Sequence, residues 1–170
     1  AYNAGAREVY LIEEPMAAAL GARLPVQEAS ANFVVDIGGG TTDVAVISMG
    51  GVVASRSLKV AGDAMTTDIS SYIREEHGML IGESTAEQIK VTVGSVIKLE
   101  EELTMRIRGR EIVSGLPKEI TITSEEVRRC LQHSVKLILA AIRSTIEETP
   151  PELIADLLNR SITLAGGGSL

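Results

Sequence analysis

Short apolar runs alternate with glycine and proline turns along the first third of the chain. Four of these runs are rich in β-branched residues and predict strands, at residues 8–13, 32–37, 44–48 and 52–59. Pro15 stands where a first helical position accepts proline, so a helix is expected over residues 16–22. Because short glycine turns separate the last three runs, we expect their strands to form an antiparallel meander.

Capping signals and helical spacing predict two helices in the middle of the chain. Gly62 and Asp63 precede an amphipathic stretch that Gly78 ends. Ser84 and Glu87 have the spacing of a capping box, in which the Glu87 side chain would cap the helix start. The second helix is therefore expected to begin at this box and to end near residue 100.

The last third predicts a small sheet followed by a long helix. Alternating or apolar runs predict three strands, at residues 103–108, 111–114 and 119–123. Thr123 and Glu126 have capping-box spacing ahead of a helix that continues to Pro150, where a short helix follows. A final strand is predicted at residues 161–165. The pattern as a whole predicts an α/β fold with a smaller inserted subdomain.

Composition and charge exclude several classes of protein. The 170 residues are 45% apolar and carry a net charge of −7, and the longest apolar runs are too short to span a bilayer. With no basic run, a nucleic-acid partner is not expected. Cys130 is the only cysteine, which fits a reducing cytosol and excludes a disulfide framework. Because the chain starts at Ala1 and ends on a glycine turn, we expect it to be the middle of a longer protein.

The glycine segment between the second and third predicted strands carries the most chemistry. Gly38, Gly39 and Gly40 allow close approach of a ligand and direct several backbone N–H groups into one concavity, which can hold phosphate without basic side chains. Asp36 ends the strand before this turn and is placed to hold Mg²⁺ or its waters. A Walker loop or dinucleotide fingerprint would need a helix after the glycines, whereas a strand follows. The alternative is a plain hairpin turn.

Two more glycine junctions follow predicted strands and could converge on the same ligand. They lie at residues 60–63 (VAGD) and 164–168 (LAGGG). Glu14 lies at a helix start, where the dipole favours an ionised carboxylate, and it either orients a water or only begins the helix. Glu87 and Lys90 are spaced to face a ribose, although a helix cap is the simpler reading of Glu87. Cys130 is expected to be a core thiol, and Asp43 a turn residue.

Seven segments of the sequence together resemble the MreB family of bacterial actin homologues. The resemblance covers essentially all 170 residues and is carried by residues 11–19 (LIEEPMAAA), 34–48 (VVDIGGGTTDVAVIS), 61–63 (AGD), 81–87 (IGESTAE), 115–117 (GLP), 149–153 (TPPEL) and 164–170 (LAGGGSL). Residues 34–48 are shared with the wider superfamily of actins, heat-shock chaperones and sugar kinases. The 81–87, 115–117 and 149–153 segments point more narrowly to MreB.

This resemblance implies the second lobe of an actin-like fold. A ribonuclease-H-like subdomain would comprise residues 1–62 and 130–170, and a smaller inserted subdomain would comprise residues 63–129. In the family's pattern the phosphate loop is formed by Asp36, Gly38, Gly39, Gly40, Thr41 and Thr42. Asp36 lies near Mg²⁺, mostly through water, and Gly62 and Asp63 form a further contact with the cofactor.

The resemblance also implies roles around the nucleoside and the attacking water. Glu14 matches the residue that positions the hydrolytic water, and Thr42 lies close to it. Glu87 and Lys90 flank the nucleoside. The adenosine loop begins at Gly166, Gly167 and Gly168.

Proteins of this family bind ATP or GTP with Mg²⁺ and polymerise into double filaments that organise cell-wall synthesis and rod shape. The resemblance therefore implies a cytoplasmic location at the inner face of the cell membrane. Expected partners are further copies of the chain, a RodZ-like membrane-anchored protein and other cell-wall elongation proteins, with membrane contact through parts outside these residues. Because a nucleotide in this fold lies between two lobes, we expect negligible ATPase activity from these residues alone. The alternatives are a heat-shock-chaperone-like ATPase and a nucleotide-independent interaction module.

Overall fold

A computed structural model describes residues 1–158 and 160–170, which form two compact units. Unit one comprises Ala1–Ile37, Asp43–Ser57 and Ile142–Leu170, and unit two comprises Gly38–Thr42 and Leu58–Ala141. The helices are α1 (Glu14–Gly21), α2 (Gly62–His77), α3 (Glu83–Val93), α4 (Ser124–Glu148) and α5 (Pro151–Leu158). The strands are β1 (Asn32–Ile37), β2 (Thr42–Ser48), β3 (Gly51–Leu58), β4 (Met79–Leu80), β5 (Thr104–Glu111), β6 (Pro117–Thr123) and β7 (Thr163–Ala165).

Unit one is built on a four-stranded sheet in the order β3-β2-β1-β7. Parallel pairing needs a long crossover, whereas the connections from β1 to β2 and from β2 to β3 are short. These neighbouring strands are therefore antiparallel, in agreement with the predicted meander. On its other side β1 pairs in parallel with β7, with Val34 opposite Thr163 and Asp36 opposite Ala165. This pairing brings the end of β1 beside the Gly166 turn that follows β7.

The core of unit one lies where α1 covers the sheet. A buried cluster joins side chains from α1, the following loop, β1 and β2, namely Ala19, Val26, Val34, Ala45 and Ile47. Both faces of β2 are closed to solvent between Val44 and Ser48, while β3 at the edge is largely exposed. These burial patterns explain why β1 and β2 read as continuous apolar runs in the sequence.

Unit two packs α2 and α3 together beside a sheet in the order β4-β5-β6. β5 and β6 form an antiparallel hairpin in which Ile107 faces Ile120 and Arg108 faces Glu119. Helix α2 ends at Gly78, whose φ of 60° is the left-handed conformation that favours glycine after a helix. The alternation predicted for β5 is confirmed, because Ile107 is buried while the flanking arginines are exposed.

The capping box before α4 is confirmed. The Glu126 carboxylate accepts the Thr123 N–H at 2.9 Å, and the Thr123 hydroxyl accepts the Glu126 N–H at 3.2 Å. Glu126 also contacts His77 Nε2 at 3.1 Å. Burial opposes ionisation of this carboxyl, yet the hydrogen bonds from Thr123 and His77 hold its pKa below the usual value.

Two strand predictions are wrong. Residues 8–13 form no strand, and three of their four apolar side chains are exposed: Tyr10 83%, Leu11 98% and Ile12 58%. Apolar character predicted burial here, but the segment pairs with no strand of the described sheets. Residues 112–114 form the turn of the β5–β6 hairpin, which ends at Gly115 with a φ of 72°. Helix α3 ends at Val93, earlier than the expected residue 100.

Candidate functional site

The loop at residues 38–42 connects β1 to β2 and belongs to unit two. Its shape is fixed by three backbone hydrogen bonds. The Gly38 N–H donates to the Thr41 carbonyl at 2.9 Å, and the carbonyls of Gly38 and Gly39 accept the N–H groups of Gly62 and Asp63 at 3.1 and 2.8 Å. The first two amides of α2 therefore hold the loop in place.

Three amides of this loop remain available to a ligand. Within residues 1–158 and 160–170, the N–H groups of Gly39, Gly40 and Thr41 donate to no acceptor. A Cβ at Gly39 would lie 3.4 Å from Asp63 Oδ1, whereas a Cβ at Gly40 would meet open space. Neither residue has a positive φ, so close packing and access, rather than an unusual backbone conformation, account for glycine here.

Thr42 and Asp63 border the loop in different ways. The Thr42 side chain is fully buried, and its hydroxyl donates to the Val60 carbonyl at 2.7 Å. This bond ties the end of the loop to the segment before α2. The exposed Asp63 carboxylate lies beside Gly39, so an anion on the loop amides would need a cation nearby.

Glu87 and Lys90 form an ion pair beside the first turns of α2. Lys90 Nζ lies 2.6 Å from Glu87 Oε2 and also donates to the Gly62 carbonyl at 2.9 Å. The Thr66 hydroxyl lies 2.6 Å from the same Glu87 oxygen. Hydrogen bonds from Lys90 and then Thr66 hold the pKa of the Glu87 carboxyl below its usual value, against the opposing effect of burial.

The capping role expected for Glu87 is wrong. The N-cap of α3 is Gly82, and no side chain caps this helix. The Glu87 carboxylate instead accepts from the Thr66 hydroxyl and pairs with the Lys90 ammonium, an opposite full charge one turn along the same helix. Sequence reasoning did not find Thr66, although its position four residues after Gly62 places both on one face of α2.

In unit one, Asp36 and Gly166 are packed together where β1 and β7 end. Gly166 has φ 80° and ψ 158°, a region restricted almost entirely to glycine. A Cβ there would overlap the Ile37 carbonyl oxygen and lie 2.5 Å from Asp36 Oδ1. Gly167 is open, and Gly167–Ser169 form a 3₁₀ turn. Glycine at 166 therefore leaves room for the Asp36 carboxylate, and the position of Gly167 beside it is open.

Glu14 begins α1 in unit one. Its side chain is exposed and precedes Pro15 in the first turn, as the proline signal predicted. Glu13 occupies the N-cap without capping the helix through its side chain.

The described residues hold no group of three or more His, Cys, Asp or Glu side chains suited to a metal ion. Mg²⁺ in nucleotide sites commonly takes one or two carboxylates together with phosphate oxygens and water. Asp36, a carboxylate at a strand end, fits this limited role. No helix in residues 1–158 and 160–170 combines the length and the apolar character that a membrane span requires.

Known proteins share both the sequence and the fold. The sequence model of a family described as MreB/Mbl protein matches residues 1–170. The cell shape-determining protein Mbl of Bacillus subtilis is 49% identical over 170 residues, which are the whole of this chain and 51% of that protein. The chain thus spans about half the length of this relative.

Solved structures show the same relationship. MreB5 of Spiroplasma citri bound to AMPPNP matches with a TM-score of 0.96 and 46% identity, over 99% of this chain and 50% of that one. The ADP-bound form of that protein matches equally well. MamK in a double helical filament matches with a TM-score of 0.72 and 25% identity, over 92% of this chain and 46% of that one.

These matches confirm the expected α/β, actin-like fold and the resemblance drawn from the sequence segments. With a family model that matches from the first residue to the last, the chain belongs to the MreB/Mbl family of actin-like cell-shape proteins.

Proposed function

We propose that the protein containing this chain binds ATP or GTP through the loop at residues 38–42. The observation that carries the proposal is the set of three unpartnered amides at Gly39, Gly40 and Thr41. Successive backbone N–H groups form a concavity that suits phosphate oxygens. The similarity to MreB5, solved with AMPPNP and with ADP, supports this assignment.

Asp36 is proposed to hold Mg²⁺, mainly through water. When bound, the ion would neutralise phosphate charge and orient the phosphate chain. The exposed Asp63 carboxylate beside Gly39 would repel a phosphate on the loop, and a bound cation would offset that repulsion. The Asp36 carboxylate occupies space that a side chain at position 166 would need, since a Cβ there would lie 2.5 Å from Asp36 Oδ1.

The remaining contacts are assigned by family resemblance. Gly166, Gly167 and Gly168 are proposed to line the adenosine, and Glu87 with Lys90 to flank the nucleoside. Glu14 is proposed to orient the hydrolytic water through its exposed carboxylate. Thr42 is proposed to act by holding the loop, because its single hydroxyl proton is donated to the Val60 carbonyl.

For the whole protein we propose nucleotide-dependent assembly into filaments that organise cell-wall synthesis at the inner face of the membrane. The similarity to MamK in a double helical filament supports self-association. ATP hydrolysis is expected of the whole protein and not of these residues alone. The same proposal includes docking of a RodZ-like membrane-anchored partner and of other cell-wall elongation proteins. If the RodZ-like partner binds without nucleotide, this part of the chain also acts as an interaction module.

The loop assignment can be tested at Gly40, where a side chain has room. Gly40→Asp places a negative charge beside the loop amides, and Gly40→Asn is its neutral control of equal size. A unit charge about 4 Å from phosphate costs about 1–4 kcal/mol near a protein surface, so Asp should weaken ATP binding at least about fivefold more than Asn. Isothermal titration of the whole protein measures both. Equal affinities would show that this loop does not hold the phosphates.

The metal assignment can be tested with Asp36→Asn against Asp43→Asn. Removal of a charged hydrogen-bond partner costs about 1.5–3 kcal/mol, which is about tenfold to a hundredfold in affinity. We expect Asp36→Asn to abolish the gain in ATP affinity that Mg²⁺ gives, and Asp43→Asn to retain it. An unchanged Mg²⁺ dependence in Asp36→Asn would refute the placement. Sedimentation of both variants with ATP then reports filament formation.

A further inference from the structure

Thr66 lies at the centre of a polar cluster formed by α2 and α3. It is buried, with 6% of its surface exposed, in the second turn of α2. Its hydroxyl oxygen lies 2.6 Å from Glu87 Oε2, 3.0 Å from Lys90 Nζ and 3.0 Å from the Gly62 carbonyl. All four residues belong to unit two. One hydroxyl thus contacts an anion, a cation and a carbonyl.

The protons of this cluster can be assigned from the donor inventory. An ammonium group has three hydrogens and accepts none, so Lys90 must donate to Thr66. The single Thr66 hydrogen then goes to Glu87 Oε2, because a carboxylate at 2.6 Å is a stronger acceptor than a carbonyl at 3.0 Å. The Gly62 carbonyl is satisfied by Lys90 at 2.9 Å.

Lys90 has no hydrogen left for a ligand. Its three donors go to the Gly62 carbonyl, the Thr66 hydroxyl and Glu87 Oε2. Only 16% of its side chain is exposed, against 49% for Glu87. Lys90 therefore acts on a ligand through Glu87, whose second oxygen, Oε1, accepts no hydrogen bond from the described residues.

We propose that Thr66 is a positioning residue that holds the Glu87 carboxylate so that its free oxygen accepts hydroxyl groups of the nucleoside. This inference rests on the proposed nucleotide binding. Glu87 Oε1 suits a hydroxyl donor and repels a phosphate, so the cluster recognises the sugar and not the phosphate chain. Thr66 and Lys90 fix one carboxylate oxygen and thereby orient the other.

The Gly62 carbonyl and amide connect this cluster to the loop. Gly62 N–H donates to the Gly38 carbonyl at 3.1 Å, and the Gly62 carbonyl accepts from Lys90. A Cβ at Gly62 would lie 3.2 Å from Lys90 Nζ and 3.3 Å from the Gly38 carbonyl. Glycine at this position therefore lets the loop and the cluster approach each other.

The test compares Thr66→Val, Thr66→Ser and the control Thr67→Val in the whole protein. Valine keeps the volume of threonine and removes the hydroxyl, whereas serine keeps the hydroxyl. Thr67 is exposed, and among the described residues its hydroxyl bonds only to the Asp63 carbonyl of its own helix, at 2.9 Å. ATP and tripolyphosphate affinities are measured by isothermal titration for each variant.

We expect Thr66→Val to weaken ATP binding about tenfold, which corresponds to about 1.4 kcal/mol, and to leave tripolyphosphate binding unchanged. Thr66→Ser should restore most of the ATP affinity, and Thr67→Val should match the wild type. In Glu87→Gln the further effect of Thr66→Val should nearly vanish, because both changes remove the same contact. Equal weakening of ATP and tripolyphosphate, or additive effects of the two substitutions, would overturn the proposal.

A second readout separates this inference from nucleotide binding itself. Thr66 is one of the hydrogen-bond donors that hold the pKa of Glu87 low, so Thr66→Val should raise that pKa in the absence of nucleotide. A carboxyl-detected NMR titration of the ligand-free protein measures the change. An unchanged Glu87 pKa would overturn the inference. A wild-type protein that binds no nucleotide would overturn the proposed function even where the pKa moves as expected.

Discussion

Gly166→Ala gives a sharp test of how unit one is assembled. At φ 80° and ψ 158°, a residue with a Cβ costs about 1–3 kcal/mol of backbone strain. The added Cβ would also overlap the Ile37 carbonyl oxygen and lie 2.5 Å from Asp36 Oδ1. The Ile37 carbonyl belongs to the backbone, so it cannot move aside as a flexible side chain could. Overpacking of this kind typically costs about 1–3 kcal/mol, so the total loss in the free energy of unfolding is about 2–6 kcal/mol.

Thermal unfolding followed by circular dichroism measures this loss. In a chain of this length, 1 kcal/mol lowers Tm by about 2–4 °C, so Gly166→Ala should lower it by at least about 4 °C. Gly167→Ala is the matched control, because its Cβ would meet nothing within 4 Å. If the two variants unfold within about 1 °C of each other, the close packing of β1 against the turn after β7 is wrong.

Three further predictions concern other parts of the chain. Burial raises the pKa of Cys130 to about 12, so the folded protein should react with thiol reagents at pH 8 far more slowly than the same protein in urea. Because the pKa of Glu126 is lowered on folding, its contribution to stability is present above the ordinary glutamate pKa of about 4.3 and is lost as pH falls below it. Tm falls between about pH 5 and about pH 3, the range in which this carboxyl is protonated. That fall should be smaller in Glu126→Gln than in the wild type or in the exposed control Glu125→Gln. Thr42→Val removes the hydroxyl that donates to the Val60 carbonyl, so it should lower the free energy of unfolding in urea by about 1–3 kcal/mol. Thr41→Val is the control, and an equal loss in both variants would contradict this explanation.

Local signals predicted much of the fold because they act through nearby residues. The capping box of Thr123 and Glu126, the left-handed Gly78 and the glycine turns between β1, β2 and β3 need only a few neighbouring positions to form. Residues 8–13 show the limit of this reasoning. An apolar β-branched run is consistent with a strand, but a strand also needs a partner, and the described sheets provide none.

The candidate site was predicted where backbone chemistry defines it and missed where side chains meet across helices. The glycines at 38–40 predicted a loop with exposed backbone amides, and the amides of Gly39 and Gly40 have no acceptor among the described residues. The role of Thr66 could not be read in the same way, because its contact with Glu87 joins residues 21 positions apart on separate helices. Local spacing also misled the interpretation of Glu87, because it favoured a helix cap. The carboxylate instead pairs with Lys90 one turn along the same helix and with Thr66 on α2.

The interleaved path of the chain affects the order in which the units can form during synthesis. The polypeptide passes between the units four times, at residues 37–38, 42–43, 57–58 and 141–142. Strand β7, which joins β1 at the sheet edge, is synthesised only after all of unit two. Pairing across so many residues carries a large loop-closure entropy and favours slow formation. Unit two can thus be complete while the sheet of unit one still awaits its last strand, with the edge of β1 exposed to wrong pairing until that strand arrives.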